Sequence, residues 1–225
     1  MADRTIVPFG GGKFCEGAAR FLVELTGKEG PRVLYIGTAS AEDPGSTLRL
    51  YDQFQPFAEV SRLEFFPWPP DDLRSTVLDQ DLIFVGGGNT ANMLAIWRLH
   101  GVDDLLREAL EAGVVMSGSS AGGICWFEHG VTDSFGPQLG PMDCLGFLGG
   151  SFCPHWDDEE KRRPVFHELL KSGFSAGYAA DAGVGLHFVN GELREAVACE
   201  EGTGAYRLEL RGGEVVEETI SARPL

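Results

Sequence analysis

Residues 114–123 read Val-Val-Met-Ser-Gly-Ser-Ser-Ala-Gly-Gly. An apolar β-type run ends here in small residues, and a helix-compatible segment follows at residues 124–127. In this strand–turn–helix context the pattern Gly-x-Ser-x-Gly exposes a serine hydroxyl on a sharp turn, and glycine tolerates the unusual backbone that such a turn needs. Ser120 is therefore a candidate nucleophile, and the Ala121 N–H at a helix start could stabilise an oxyanion. A plain Gly/Ser-rich turn explains the stretch equally well on its own.

The segments around this turn alternate between strand and helix patterns. Apolar strand-like runs at residues 6–9, 32–37 and 81–85 are followed by helical patterns at residues 16–25, 43–57 and 91–99. A further helix at residues 102–111 precedes the strand that leads into the Ser120 turn, which we call the elbow. Residues 183–216 suggest antiparallel hairpins. The alternation predicts a single domain over residues 1–225, a three-layer α/β fold with a mostly parallel, doubly wound sheet and antiparallel strands at the C-terminal end. In such sheets the active groups lie at the carboxyl ends of the strands.

The composition excludes several classes of partner. The chain has 225 residues, 43% of them hydrophobic, and a formal net charge of −16. Nucleic acid or an anionic membrane would need a basic patch, so neither is expected as a partner. The sequence has no apolar run of the roughly 20 residues that a membrane span requires and no signal-peptide pattern at its start. We expect a cytoplasmic enzyme, and a homodimer is compatible with the sequence.

The cysteines do not form a recognisable framework. Five are present, an odd count without CxxC spacing, which predicts neither a disulfide framework nor a zinc site. Cys125 lies about one helical turn beyond Ser120, within an apolar segment, which favours a buried thiol over a nucleophile.

A serine nucleophile needs a base, and the base needs an acid that orients it. Of the five histidines, His155 alone directly follows a predicted strand, at the head of a polar turn after Pro154. Asp181, in a small-residue turn before a strand, is the first choice for the acid, and Asp157 is the second. The chain order Ser, His, Asp differs from the Ser, Asp, His order of α/β-hydrolases.

Four segments together resemble the peptidase E family of serine peptidases, which includes relatives of cyanophycinase. They are residues 84–90 (FVGGGNT), 118–122 (GSSAG), 153–157 (CPHWD) and 180–183 (ADAG). The resemblance implies a class I glutamine amidotransferase-like, flavodoxin-like fold and a Ser-His-acid hydrolase with Ser120 as nucleophile and His155 as base. Some family members have a glutamate where this chain has Ala182, next to Asp181, so the acid stays open between Asp181 and Asp157.

The resemblance also implies roles around the nucleophile. Gly87 or Gly88 would join Ala121 in the oxyanion hole, and Asn89 and Thr90 in the same turn would contact substrate. The family's aspartyl dipeptidases cleave dipeptides with N-terminal aspartate, for which Arg162 is our candidate carboxylate ligand. No metal or organic cofactor is implied.

The predicted function is therefore a serine dipeptidase acting on Asp-X peptides. The alternatives are a cyanophycinase-like β-Asp-Arg peptidase, a dipeptidase of broader specificity, an amidotransferase-like hydrolase using Cys125, and a catalytically degenerate protein that binds acidic peptides. The Gly- and Pro-rich tract at residues 128–148 is expected to be a structureless loop, either a lid or a binding loop.

Overall fold

The first half of the chain alternates strands and helices as predicted. The computed structural model describes residues 2–225. Its elements up to the elbow are β1 (Thr5–Phe9), α1 (Glu16–Leu25), β2 (Arg32–Ile36), a 3₁₀ turn (Thr38–Ser40), α2 (Pro44–Phe54), β3 (Glu59–Leu63), α3 (Leu73–Leu78), β4 (Leu82–Val85), α4 (Thr90–His100), α5 (Val102–Glu111), β5 (Val115–Ser119) and α6 (Ala121–Ile124). Helix α3 was not predicted. Asp72 caps it by accepting a hydrogen bond from the Ser75 amide at 2.9 Å.

The second half contains more strand than the sequence indicates. Its elements are β6 (Phe127–Thr132), β7 (Gly140–Asp143), β8 (Leu148–Cys153), α7 (Arg162–Lys171), β9 (Gly177–Ala180), β10 (Val184–Val189), β11 (Glu192–Ala198), β12 (Gly204–Arg211) and β13 (Glu214–Pro224). The expectation of a structureless tract at residues 128–148 is wrong, because β6 and β7 lie largely within it. These strands form by pairing, β6 with β8 in parallel and with β7 in antiparallel register, and local sequence does not reveal such partners.

The strands within residues 2–225 form one 13-stranded sheet in the order β3-β2-β4-β5-β1-β10-β11-β13-β12-β9-β8-β6-β7. The five strands from β3 to β1 are all parallel, and β10 then joins β1 in antiparallel register. The predicted α/β fold is confirmed, and its sheet is mixed, with parallel strands in the first half of the chain and antiparallel pairs in the second. The finer flavodoxin-like class stays a prediction.

Helices cover both faces of the parallel half. Alternate side chains of the strands enter two different clusters, because successive residues of a strand point to opposite faces. Val33, Tyr35 and Phe84 pack with α1 and α2, whereas Leu34, Ile36 and Ile83 pack with α4, α5 and α6. The near-continuous apolar runs of β2 and β4 follow from this double coverage.

The structure corrects the interpretation of the cysteines. Cys15, before α1, forms a disulfide with Cys199, after β11, with Cα atoms 5.7 Å apart. These residues are 184 positions apart in sequence. They meet because β1 pairs with β10 and β10 with β11, which brings the start of α1 to the end of β11. Cys125, Cys144 and Cys153 are free.

Among residues 2–225, the helices are all too short or too polar to cross a membrane.

Candidate active site

Ser120 lies on a sharp elbow between β5 and α6. Its backbone has φ 56° and ψ −111°, outside the favoured regions for a residue with a side chain. The conformation is held from both sides: the Ser120 amide donates to the Phe9 carbonyl at 3.0 Å, and its carbonyl accepts from Gly123 and Ile124 at 2.8 Å each. The elbow predicted from the sequence is present.

The two glycines of the Gly-x-Ser-x-Gly pattern are required by close backbone packing. A Cβ on Gly122 would lie 2.1 Å from the Val85 carbonyl oxygen, and one on Gly118 would lie 2.4 Å from the Gly122 carbonyl oxygen. Any larger residue would push α6 away from β4. The short α6 can therefore begin directly at the nucleophile only with glycine at both positions.

His155 reaches Ser120 from the end of β8. Its Nε2 lies 2.9 Å from the Ser120 Oγ, within hydrogen-bond distance. The His155 backbone has φ 57°, a left-handed conformation, and its amide donates to the Gly10 carbonyl at 2.7 Å. A histidine fixed in this way can accept the proton of the serine hydroxyl.

The carboxylate beside the His155 ring is Asp158. The His155 Nδ1 lies 3.3 Å and 3.4 Å from the two Asp158 oxygens, and 4.0 Å from Glu159. A residue this close in sequence is expected to point elsewhere. The left-handed His155 starts a tight turn, in which the Glu159 amide donates to the His155 carbonyl at 3.2 Å, and this turn folds Asp158 back to the ring.

Asp181 and Asp157 make their hydrogen bonds to backbone amides rather than to His155. Asp181 is 5% exposed and its Oδ2 accepts from the Gly204 amide at 2.8 Å. Burial raises the pKa of Asp181, which the Gly204 hydrogen bond partly offsets. The Asp157 Oδ1 accepts from the Ala182 amide at 2.8 Å. Both carboxylates hold the turn before β10, and the structure brings neither of them within hydrogen-bond distance of the His155 ring.

The backbone around the nucleophile can supply oxyanion donors. Ala121 is the first residue of α6, where amide groups have no acceptor within the helix. Gly87 lies alongside, since a Cβ there would be 3.4 Å from the Ser120 Cβ. Gly88 has φ 137°, and its Cβ would overlap the Ala39 carbonyl, so only glycine fits at this position. The oxyanion roles of these three residues stay a prediction.

Of the predicted substrate ligands, Arg162 and Asn89 are engaged within the protein and Thr90 is buried. Arg162 is 3% exposed; its Nε donates to Glu159 at 2.7 Å and its Nη1 to the Val131 carbonyl at 2.8 Å. Asn89 caps α4 through the Asn92 amide and donates to the Ser134 carbonyl. Thr90 is fully buried. These contacts correct the expectation that Arg162 holds a substrate carboxylate, since the side chain is buried and engaged. The sequence of a basic run beside acidic residues does not show which of its side chains turns into the protein.

A glycine turn after β1 supports the histidine. A Cβ on Gly11, which has φ 96°, would lie 2.3 Å from the His155 Cε1. The Gly11 carbonyl also accepts from the Gly183 amide at 2.7 Å. Residues 10–12 therefore form a turn that packs against the catalytic candidate His155.

We therefore expect Gly11→Ala to lower kcat/KM about 100-fold, because the His155 ring would have to move by about 1 Å from the serine. Peptidase assays on purified protein measure this. Gly173→Ala is the matched control, since Gly173 has φ 93° and a Cβ there would have no atom within 4 Å. Equal losses in the two variants would mean that backbone strain, and not the His155 contact, explains the effect.

A cleft of about 450 Å³ opens beside the elbow, and its lining includes Gly87, Ser119 and Arg49. Sequence patterns did not connect α2, which carries Arg49, with the site. A larger cleft, of about 550 Å³, is lined by Arg98, His129 and Phe174 and includes none of the predicted catalytic residues.

Fold and site together define a mixed α/β protein with a serine elbow and an adjacent histidine, which is the arrangement of a hydrolase. The model of peptidase family S51 matches residues 9–196. The chain is 44% identical over 229 residues to the "Uncharacterized peptidase YgaJ" of Bacillus subtilis (strain 168), covering 99% of each chain. The chain belongs to peptidase family S51, which confirms the resemblance to peptidase E and supports a peptidase.

Two solved structures share the fold. A peptidase from an acI-B1 Actinobacterium has a TM-score of 0.70 at 16% identity, covering 97% of this chain and 94% of the other. A putative peptidase E protein from Listeria monocytogenes EGD-e has a TM-score of 0.63 at 18% identity, covering 98% of this chain and 100% of the other. At these identities the likeness extends to the fold alone.

Proposed function

We propose that this chain is a serine peptidase that hydrolyses dipeptides through an acyl-enzyme. The observation that carries the proposal is the distance of 2.9 Å between the Ser120 Oγ and the His155 Nε2 at a strained strand–turn–helix elbow. A serine hydroxyl is a weak nucleophile at neutral pH, and a base at hydrogen-bond distance activates it.

The residues divide the reaction between them. Asp158 accepts a hydrogen bond from the Nδ1–H of His155, which fixes the tautomer whose Nε2 lone pair faces the serine. His155 takes the hydroxyl proton as Oγ bonds to the peptide carbonyl carbon, and the Ala121 and Gly87 or Gly88 amides hold the oxyanion. His155 then gives its proton to the leaving amine as the C–N bond breaks, and water releases the acyl group by the reverse proton transfers.

We propose Asp158 as the orienting acid in place of Asp181. The Asp158 carboxylate is half exposed, and the Glu159 Oε1 also lies 4.0 Å from the His155 Nδ1, so the loss of Asp158 is partly compensated. Asp158→Asn is expected to lower kcat about 30-fold, less than the roughly 10⁴-fold cost of disabling a fully buried triad aspartate. Steady-state kinetics of Asp158→Asn, Asp181→Asn and the double variant Asp158→Asn/Glu159→Gln measure this.

In this series the double variant should be the least active, and Asp181→Asn should keep kcat within about threefold of the parent, since an amide still accepts from Gly204. A collapse of kcat in Asp181→Asn, with Asp158→Asn unaffected, would return the role to Asp181.

The specificity follows from the family resemblance and from what the site offers. Asp-X cleavage is the activity that the resemblance implies, but the cation we assigned to it, Arg162, is buried and engaged with Glu159 and Val131. This observation favours the second candidate, a dipeptidase of broader specificity. A panel of Asp-Leu, Glu-Leu, Ala-Leu and β-Asp-Arg separates these specificities, and a rate for Asp-Leu no higher than for Ala-Leu would exclude the aspartyl dipeptidase.

A cysteine-dependent hydrolase and a degenerate binding protein have less support. Cys125 is fully buried, its Sγ donates to the Gly122 carbonyl, and burial raises its pKa well above the usual range. A neutral, inaccessible thiol is a poor nucleophile, which disfavours the amidotransferase-like reaction. A degenerate binding protein would have no need for the paired Ser120 and His155. Hydrolysis of no peptide in the panel, with saturable binding of acidic peptides, would favour it.

A further inference from the structure

The cleft beside the elbow, which we call the Arg49 cleft, has an apolar floor and a basic rim. Tyr35, Leu50 and Phe84 form the floor and are each less than a tenth exposed. Lys13 and Arg49 lie on the rim together with one acidic residue, Asp52. A cleft of about 450 Å³ with a few polar groups has the size and character of a small-ligand site.

The cleft begins at the reacting atoms. A Cβ on Gly87, which lines the cleft, would lie 4.0 Å from the Ser120 Oγ. Gly12 lines another part of the cleft and directly follows Gly11, where a Cβ would lie 2.3 Å from the His155 ring. The cleft therefore extends from the serine elbow to the glycine turn of residues 10–12, and this turn packs against His155 through Gly10 and Gly11. In peptide hydrolysis the histidine protonates the leaving amine, so the side on which His155 lies receives the leaving residue.

The floor suits an apolar side chain. The rings of Phe14 and Phe84 pack edge to face with centroids 4.9 Å apart, and both line the cleft. Gly86 lets the Tyr35 hydroxyl approach the backbone, because a Cβ there would lie 2.5 Å from that oxygen. Burial raises the pKa of Tyr35, offset in part by a hydrogen bond with Ser40 and the charge of Arg49, so the hydroxyl remains a neutral donor.

The rim suits a carboxylate. Arg49 is 75% exposed, donates to the Ser46 Oγ at 2.9 Å and is 3.9 Å from Asp43, which leaves part of its fork of five N–H donors free. Lys13 is paired with Glu200 only loosely, at 3.7 Å between exposed groups. In a chain with a net charge of −16, such a local basic rim is what an anionic substrate group needs to enter.

We propose that the Arg49 cleft binds the leaving residue of a dipeptide, with its apolar side chain on the floor and its C-terminal carboxylate on Arg49 and Lys13. The assignment rests on the proposed peptidase function and adds to it a reason for cleaving dipeptides in particular. A longer peptide or a dipeptide amide lacks a carboxylate at that position and loses the charge-assisted hydrogen bonds.

The test compares Asp-Leu with its amide, Asp-leucinamide, as substrates of the purified protein. The parent should prefer the free acid by about tenfold in kcat/KM, or about 1.4 kcal/mol, mainly through KM. Arg49→Gln should bring this ratio close to one, and Arg49→Lys should restore part of it. Arg20→Gln is the control, because Arg20 is an exposed arginine of the neighbouring helix α1 paired with Glu16, outside the cleft. The ratio of kcat/KM for the free acid to that for the amide should be the same in Arg20→Gln as in the parent.

Two further arms make the result decisive. The first arm compares Asp-Leu with Asn-Leu, each as the free acid and as the amide. If Arg49→Gln lowers kcat/KM for the aspartyl substrates relative to the asparaginyl ones in both forms, the cleft holds the aspartate side chain. That result overturns our assignment. An acid-to-amide ratio that Arg49→Gln leaves unchanged overturns it too.

The second arm measures calorimetric binding of Asp-Leu and Asp-leucinamide to Ser120→Ala, with and without Arg49→Gln. Absence of turnover in the parent, together with an Arg49-dependent preference for the free acid in binding, would sink the peptidase function and leave the cleft assignment standing. Turnover in the parent without an Arg49-dependent preference for the free acid would overturn the cleft assignment and leave the peptidase function standing.

Discussion

Replacing Ser120 with alanine is expected to lower kcat/KM for dipeptides by at least about 10⁴-fold, because the change removes the nucleophile from the elbow. Cys125, a few residues on, cannot replace it, since this residue is buried and its thiol is neutral. The effect should fall on kcat, since the oxyanion amides and the Arg49 cleft are untouched. Kinetics of the purified variant, with thermal unfolding to show an intact fold, measure it.

The matched variant is Ser120→Cys. A thiol at the same position still faces His155, so we expect weak residual activity that thiol alkylation abolishes. The serine assignment would be contradicted if Ser120→Ala kept more than about a tenth of the parent activity, since removing one member of such a site costs several orders of magnitude.

Replacing His155 with glutamine is expected to lower kcat/KM about 10³-fold, the usual range for loss of a general acid–base group. Glutamine is polar and of similar reach but cannot take the Ser120 proton at neutral pH. The loss should appear in kcat, and it should also slow the reaction of Ser120 with serine-directed reagents. A merely structural histidine would affect neither in this way.

His129 provides the control for the second prediction. Its Nδ1 lies 3.0 Å from Asp143, so it forms a histidine–carboxylate pair like that of His155 and Asp158, but it lies on β6 beside the larger cleft. His129→Gln should stay within about twofold of the parent, as expected for a surface substitution away from the site. Similar losses in both histidine variants would mean that general destabilisation accounts for the effect.

Sequence patterns predicted the parallel half of the fold well, since each signal there is local. The apolar run of β4 and the glycine turn after it indicate a buried strand that ends at the site, and both are present. The serine elbow was found because Gly118 and Gly122 are required by contacts within one strand–turn–helix unit. The pairing of Ser120 with His155 followed because both residues end strands of the sheet.

Features that depend on distant pairing or on side-chain direction were missed. Strands β6 and β7 exist through pairing with each other and with β8, which a Gly- and Pro-rich sequence conceals. The Cys15–Cys199 disulfide depends on strand neighbours far apart in sequence. The proximity of Asp158 to the His155 ring has no local signal in the sequence, because the left-handed backbone of His155 that brings the two together is not expected of a residue other than glycine.

The most direct test of the account is the site of covalent labelling by a fluorophosphonate, which reacts with activated serines. We predict a single adduct per chain in the intact mass, mapped by peptide sequencing to Ser120, and its loss or marked slowing in His155→Gln. An adduct on another residue, or an unlabelled protein that still hydrolyses dipeptides, would contradict the claim that Ser120 is the nucleophile activated by His155.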